Sequence, residues 1–181
     1  MWKLLIFITL LITFTISYFE FTATYIPDSN GLLILKSQEN ITIKAYVNNS
    51  SIPAQVSKYS NSNGYYIHCE AFKKLNLKII IETPLTSLNE MFSHQRAVSI
   101  KLKSTGENVK SLEGLFSQCL SLKSIDLTEF DLSQVTNSKY MFRYCEVLIE
   151  VNFGNSNMLN LENMEGMFYD CKLLIFEFIK F

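Results

Sequence analysis

Cys119, Cys145 and Cys171 follow one another at equal intervals, and thiols placed so regularly are the first candidates for chemistry in this chain. Thiolates ligate metals and carry redox exchange. Metal-binding cysteines come mostly as pairs with two to four residues between them, and no such pair occurs here. The spacing fits better a column of buried thiols, one per repeating unit, each acting as a small apolar residue. Disulfides are a second reading for a secreted chain, with Cys69 as the odd partner; a bridge would need Cα atoms within about 7 Å. His68 and His94 stand in no recognisable triad. His94, in Phe92-Ser-His-Gln-Arg96, reads as the polar end of a helix. There is no glycine-rich phosphate loop, paired-carboxylate motif or nucleophile elbow. The expectation is a protein that is not an enzyme and uses no cofactor or metal.

Composition narrows the classes further. The chain has 181 residues and a formal net charge of −1, so no whole-chain field would hold nucleic acid or an anionic membrane. Apolar residues make up 48%, enough for a continuous core.

The cysteines belong to a larger pattern. Leu115-Phe116, Met141-Phe142 and Met167-Phe168 each precede their cysteine by the same short step, so Phe116, Phe142 and Phe168 share its interval. Met91-Phe92, a slightly shorter interval upstream, begins the series with Gln95 in the cysteine's place. A period in the twenties marks a stack of structural repeats. Within copies, Val135, Ser138, Met141-Phe142 and Cys145 recur in steps of three and four, as do Leu161, Met164, Met167-Phe168 and Cys171. Val109, Leu112, Leu115-Phe116 and Cys119, and Leu85, Leu88, Met91-Phe92 and Gln95, do the same. This spacing predicts a short helix in each copy. A short strand follows each: Val98–Leu102, Leu122–Leu127, Leu148–Phe153 and an incomplete one after Leu174. Inward positions would be Leu122, Ile125, Leu127, Leu148, Val151 and Phe153. The Met-Phe pairs read as core and not as an aromatic binding stripe.

Ahead of the array the chain is β-rich. Ile41–Val47 alternates apolar and polar, Tyr65–Cys69 and Leu77–Ile81 read as strands, and Leu32–Lys36 is a short apolar run. Tyr18–Asn30 reads as an extended leader, and residues 27–31 and 60–64 as turns. The physical task of such a region is to cover the open end of the stack. The expected class is therefore α/β: a leucine-rich-repeat-like solenoid of short parallel strands and short helices behind a small β-rich cap. The expected organisation is a signal peptide at 1–17, the cap at 18–83, and about four repeats at 84–181, the last incomplete.

Lys3 followed by the uncharged run Leu4–Phe19 resembles a secretory signal, with Thr15-Ile16-Ser17 suited to cleavage after Ser17. An uncleaved anchor is the alternative, although a span needs about 20 apolar residues. Asn40, Asn48 and Asn49 each fit the N-glycosylation pattern.

Leu122-Lys-Ser-Ile125-Asp-Leu127 is similar to the core of leucine-rich repeats. The string from Ile125 through Phe130, Val135 and Met141-Phe142 to Cys145 resembles a subtype, the BspA-like surface-protein repeat of about 26 residues. The resemblance runs from Leu85 to Phe181. The asparagine or cysteine ladder of ordinary leucine-rich repeats has no counterpart where Thr105, Phe130 and Ser156 stand. The resemblance implies a secreted or cell-surface protein used for adhesion or host contact, and transfers no catalytic residue.

On this reading the interaction face is the row of outward strand positions: Lys101, Lys103, Lys123, Asp126, Glu150 and Asn152. The expected partner is a protein or cell-surface ligand and not nucleic acid, with membrane contact only through the N-terminal segment. A membrane-tethered ectodomain is the alternative, and an enzyme the remote one. The apolar run Leu173–Phe181 reads as an unguarded outer strand, which would template self-association and mark Phe181 as an unfinished end.

Overall fold

The computed structural model describes residues 19–25, 32–37, 41–51, 54–58, 64–67, 75–104 and 109–180. The strands are β1 (Phe19–Tyr25), β2 (Leu32–Lys36), β3 (Ile43–Val47), β4 (Val56–Lys58), β5 (Gly64–Ile67), β6 (Leu75–Ile81), β7 (Ala97–Ser104), β8 (Ser124–Glu129), β9 (Glu150–Asn152) and β10 (Ile179–Lys180). Seven of them form a mixed sheet in the order β10-β9-β8-β7-β1-β6-β3, and β2-β5-β4 form a second. The repeat strands β7 to β10 pair in parallel, whereas β1 runs antiparallel to both β6 and β7.

The α/β class is overturned. Among the described residues the only helical stretch is the 3-10 turn Phe176–Phe178, and the Met-Phe segments are chains of tight turns. Their hydrogen bonds give the reason. In the third repeat the amides of Met141, Arg143 and Cys145 bond back to the carbonyls of Ser138, Tyr140 and Phe142, at 3.1 Å each. The alternate amides of Ser138, Tyr140, Phe142 and Tyr144 donate instead to Asn163, Glu165, Met167 and Tyr169 of the next repeat, at 2.8 to 2.9 Å. An α-helix would commit every one of these donors to its own turn. Two left-handed residues per repeat complete the geometry, one on each side of the Phe: Glu90 and His94, Gly114 and Gln118, Tyr140 and Tyr144, Gly166 and Asp170. Successive tight turns reproduce the apolar spacing of a helix, so the inward set is right in the first three repeats and the conformation is not; in the fourth, Met164 is exposed and Leu161, Phe168 and Cys171 are only partly buried.

The packing follows the period. Phe92, Phe116, Phe142 and Phe168 stack with centroids 5.5, 5.5 and 5.3 Å apart. All six expected inward strand residues are buried. Phe21 of β1 meets Phe92 edge-on at 4.6 Å and closes the first end of this column. β1 lies inside the stretch read as a leader, in the middle of the sheet. Its signal is the alternation of Phe19, Phe21, Ala23 and Tyr25, all buried, with Glu20, Thr22 and Thr24. The expected turn at 27–31, the end of the strand read at Tyr65–Cys69, and Cys69, His68 and Asn40 lie outside the described residues.

Candidate functional site

Strand alternation sends polar side chains to the face of the large sheet opposite the core. Register aligns them across strands: Asn76, Thr24, Ser99, Ser124 and Glu150 form one row, and Lys78, Thr22, Lys101, Asp126 and Asn152 the next. The rows floor a groove of about 500 Å³, which Asn49 also lines. Four of the six residues expected at an interaction face, Lys101, Asp126, Glu150 and Asn152, come together here. Lys103 stands farther along β7 than Lys101, outside this lining. Lys123 precedes β8, is exposed and does not line the groove.

The charges are mutually engaged. Lys101 Nζ lies 3.3 Å from Asp126 and 2.7 Å from Glu129, and Lys103 Nζ lies 2.9 Å from Glu129. Glu129 and then Asp126 raise the Lys101 ammonium above its ordinary value. Lys101 and Lys103 together hold the Glu129 carboxyl below its usual range. Burial pushes the Asp126 carboxyl up, but bonds from the Thr128 hydroxyl and amide and from Lys101 outweigh it and bring it down. Asp126 Oδ1 accepts from Thr128 N at 2.9 Å, and Asn152 Oδ1 accepts from Gly154 N at 3.0 Å, so one oxygen of each also closes the turn after its strand.

A second polar ladder escaped the sequence reading. Ser87, Ser111, Asn137 and Asn163, each at the same offset before its Phe, pair in parallel from repeat to repeat. Asn89 Oδ1 accepts from Ser111 Oγ at 2.6 Å, and Asn137 Nδ2 donates to Glu113 at 3.1 Å. The four-fold recurrence of Ser or Asn at this offset was the available signal.

The thiols occupy a structural niche. Cys119 and Cys145 are buried, Cys171 is half-buried, and all three are free. Among the described residues no cluster of His, Cys, Asp and Glu could hold a metal ion, and no helix is long and apolar enough to cross a membrane. His94 is exposed on a left-handed turn. Asn48 and Asn49, with φ of 50° and 62°, are the centre of a tight turn closed by Ser50 N bonding to Val47 O at 3.0 Å. Asn48 Oδ1 also accepts from Asn76 N at 3.1 Å.

Stacked turns, a mixed sheet and an open polar face define a repeat-built β protein. Residues 49–177 match the family described as "Mycoplasma protein of unknown function, DUF285", and the chain belongs to that family. The agreement with the sequence resemblance is at the level of a family of surface repeat proteins. No curated protein and no solved structure matches the chain.

Proposed function

We propose that this protein is a secreted or cell-surface interaction module that binds a protein or cell-surface ligand by adhesion, without catalysis, through the open polar face of its sheet. The observation that carries the reading is the groove of about 500 Å³ built from the side chains of β1, β6, β7, β8 and β9. Its lining of hydroxyls, amides and both signs of charge suits recognition of an extended heterogeneous surface better than capture of a single ion. Because Lys101 is already paired with Asp126 and Glu129, a partner must replace those contacts, which favours selectivity over raw affinity. Binding of the purified protein to cell surfaces from its natural setting tests this. Lys101→Glu combined with Glu150→Lys should abolish binding with the fold intact by circular dichroism, and undiminished binding would remove the groove from the function.

Secretion is favoured over a membrane tether by the position of β1. Phe19 is already paired with Ile81 and Ser104, so the uncharged run left for an anchor is Leu4–Tyr18, shorter than the roughly 20 residues a span requires. Sequencing the mature N-terminus decides between them: a start near Tyr18 means secretion, and a start at Met1 means a tether.

A further inference from the structure

A second surface lies on the turns of the third and fourth repeats, and none of its residues lines the sheet groove. Arg143 is packed among tyrosines: its guanidinium carbon is 4.6 Å from the centroid of Tyr144, 4.8 Å from Tyr140 and 5.7 Å from Tyr169. Its Nη2 donates to Tyr144 Oη at 3.2 Å. Three surrounding rings restrict the guanidinium, and its planar fork carries further N–H donors beyond the one given to Tyr144. Among the described residues no carboxylate pairs with Arg143. Glu165, on the next repeat, is engaged by Lys139 Nζ at 2.8 Å and by the Tyr140 hydroxyl at 2.7 Å.

The stacking of repeats does not require these side chains. The place of Arg143 is filled by Ser93 and Ser117 in the first two repeats, and that of Tyr144 by His94 and Gln118. Tyr140 has φ of 56°, a left-handed conformation costly for a residue with Cβ, at the place where the second and fourth repeats carry Gly114 and Gly166. Gly166 in turn makes room for the tyrosine ring: a Cβ there would lie 2.6 Å from Tyr140 Cε1. Glu90 fills this left-handed place in the first repeat at φ 54°, so the stack accepts Glu, Gly or Tyr here and does not itself call for an aromatic ring.

We infer that Tyr140, Arg143, Tyr144 and Tyr169 form a binding site for a carboxylate side chain on a partner polypeptide. A guanidinium held among rings can offer its remaining N–H donors to a carboxylate in two-point geometry. The ring of Tyr169, 57% exposed, offers apolar contact beside it. Tyrosine and arginine are the residues that carry most binding energy at protein interfaces. A sugar ring fits less well. Lys139 and Arg143 both sit over Tyr140, Arg143 sits over Tyr144, and Tyr144 meets Tyr169 edge to face at 5.5 Å, so no pair of rings makes an open flat platform.

The site goes beyond the sheet-face reading and stands independently of it. Binding of the intact protein to immobilised short peptides of acidic, neutral and basic composition tests it. The parent should prefer peptides that carry Asp or Glu beside an apolar residue. Arg143→Lys keeps the charge and loses the fork, and should weaken that binding about tenfold or more. Tyr169→Ala, at an exposed position, should weaken it by a smaller factor without lowering the melting temperature. Lys172→Ala, a cation on the same repeat outside the cluster, should leave it unchanged. Equal binding by parent and Arg143→Lys, no preference for acidic peptides, or loss at Lys172→Ala as large as at Arg143→Lys overturns the assignment. Displacement of the peptides by a polyuronate chain more readily than by free acidic peptide also overturns it, in favour of an anionic glycan.

Discussion

Cys145 Sγ–H donates a hydrogen bond to the carbonyl oxygen of Phe116, 3.0 Å away in the preceding repeat, and the bond recurs between Cys119 and Phe92 and between Cys171 and Phe142. Each thiol therefore fills a small apolar niche and ties two repeats together. The neighbouring Cys119 thiol and burial push the Cys145 thiol far above its ordinary range, and burial pushes Cys171 up to about 12. Thiolate is the reacting form, so labelling of native protein by a disulfide reagent at pH 8 should be slow, with Cys171 modified first. Rapid labelling of all three would contradict the structure. Cys145→Ala should cost about 1–2 kcal/mol, from the lost contacts and the weakened tie to Phe116.

The same shifts set an alkaline limit. Cys171 ionises in the unfolded chain near its ordinary 9.0 but in the folded chain near 12. Its contribution to stability is whole below 9 and is lost as pH rises toward 12. Burial also raises the Tyr25 hydroxyl, which has no hydrogen-bond partner among the described residues, and this adds a loss above its ordinary 10.0. Denaturant midpoints should hold steady from neutral pH to about 9 and fall beyond it, and Tyr25→Phe should flatten part of the fall. A midpoint that rises above pH 9 would be inconsistent with these environments.

Phe142 is fully buried between Phe116 and Phe168. Phe142→Ala should cost about 3–5 kcal/mol in chemical denaturation, the usual range for emptying such a site. Phe168, only partly buried at the end of the column, should cost clearly less. Equal losses would mean that the column does not define the core.

Gly114 and Gly166 occupy the same left-handed position, with φ of 60° and 57°, but have different neighbours. A Cβ at Gly114 would lie 3.3 Å from the flexible Glu90 Cγ, whereas one at Gly166 would meet the Tyr140 ring. Gly114→Ala should cost about 1 kcal/mol from backbone strain, and Gly166→Ala at least twice that. Tyr140→Ala should relieve part of the Gly166→Ala loss, so the double variant should fall short of the sum of the two single ones.

In the fourth repeat the outward row of amides is unpaired among the described residues. Met164, Gly166, Phe168 and Asp170 stand where the third repeat's four donors stand, and their amides have no acceptor among the described residues. Met164 is 60% exposed where its counterpart Leu112 is buried, and Leu173, Ile175 and Phe178 are also exposed. These four amides should exchange with solvent much faster than those of Ser138, Tyr140, Phe142 and Tyr144. An edge with free donors beside apolar surface templates association, so a polypeptide of these 181 residues should show self-association in sedimentation that rises with concentration and is reduced by Ile175→Lys. A clean monomer at high concentration would count against this edge as a contact surface.

The repeat period by itself determined the inward strand residues and the column of Phe and Cys side chains, buried in the first three repeats and half-buried in the fourth. All of these follow from which side chains recur, and recurrence is written in the chain. Period-two alternation likewise marked β3, β-branched content marked β6, and the outward strand positions Lys101, Asp126, Glu150 and Asn152 share one polar face. Alternation was also present in Phe19–Tyr25, where a leader was read instead. Only the tertiary structure decided that the Met-Phe segments are turns and not helices. A spacing of three and four reports which residues face inward, but not whether an amide bonds within its own turn or to Asn163 and Glu165 of the next repeat. The tertiary structure also inserted β1 between β6 and β7, a choice of partners between segments far apart in the chain that no local pattern encodes. The gathering of Tyr140, Arg143, Tyr144 and Tyr169 has the same origin. Their proximity depends on the stacking distance between repeats, which sets Tyr169 beside Arg143 although a whole repeat of chain separates them.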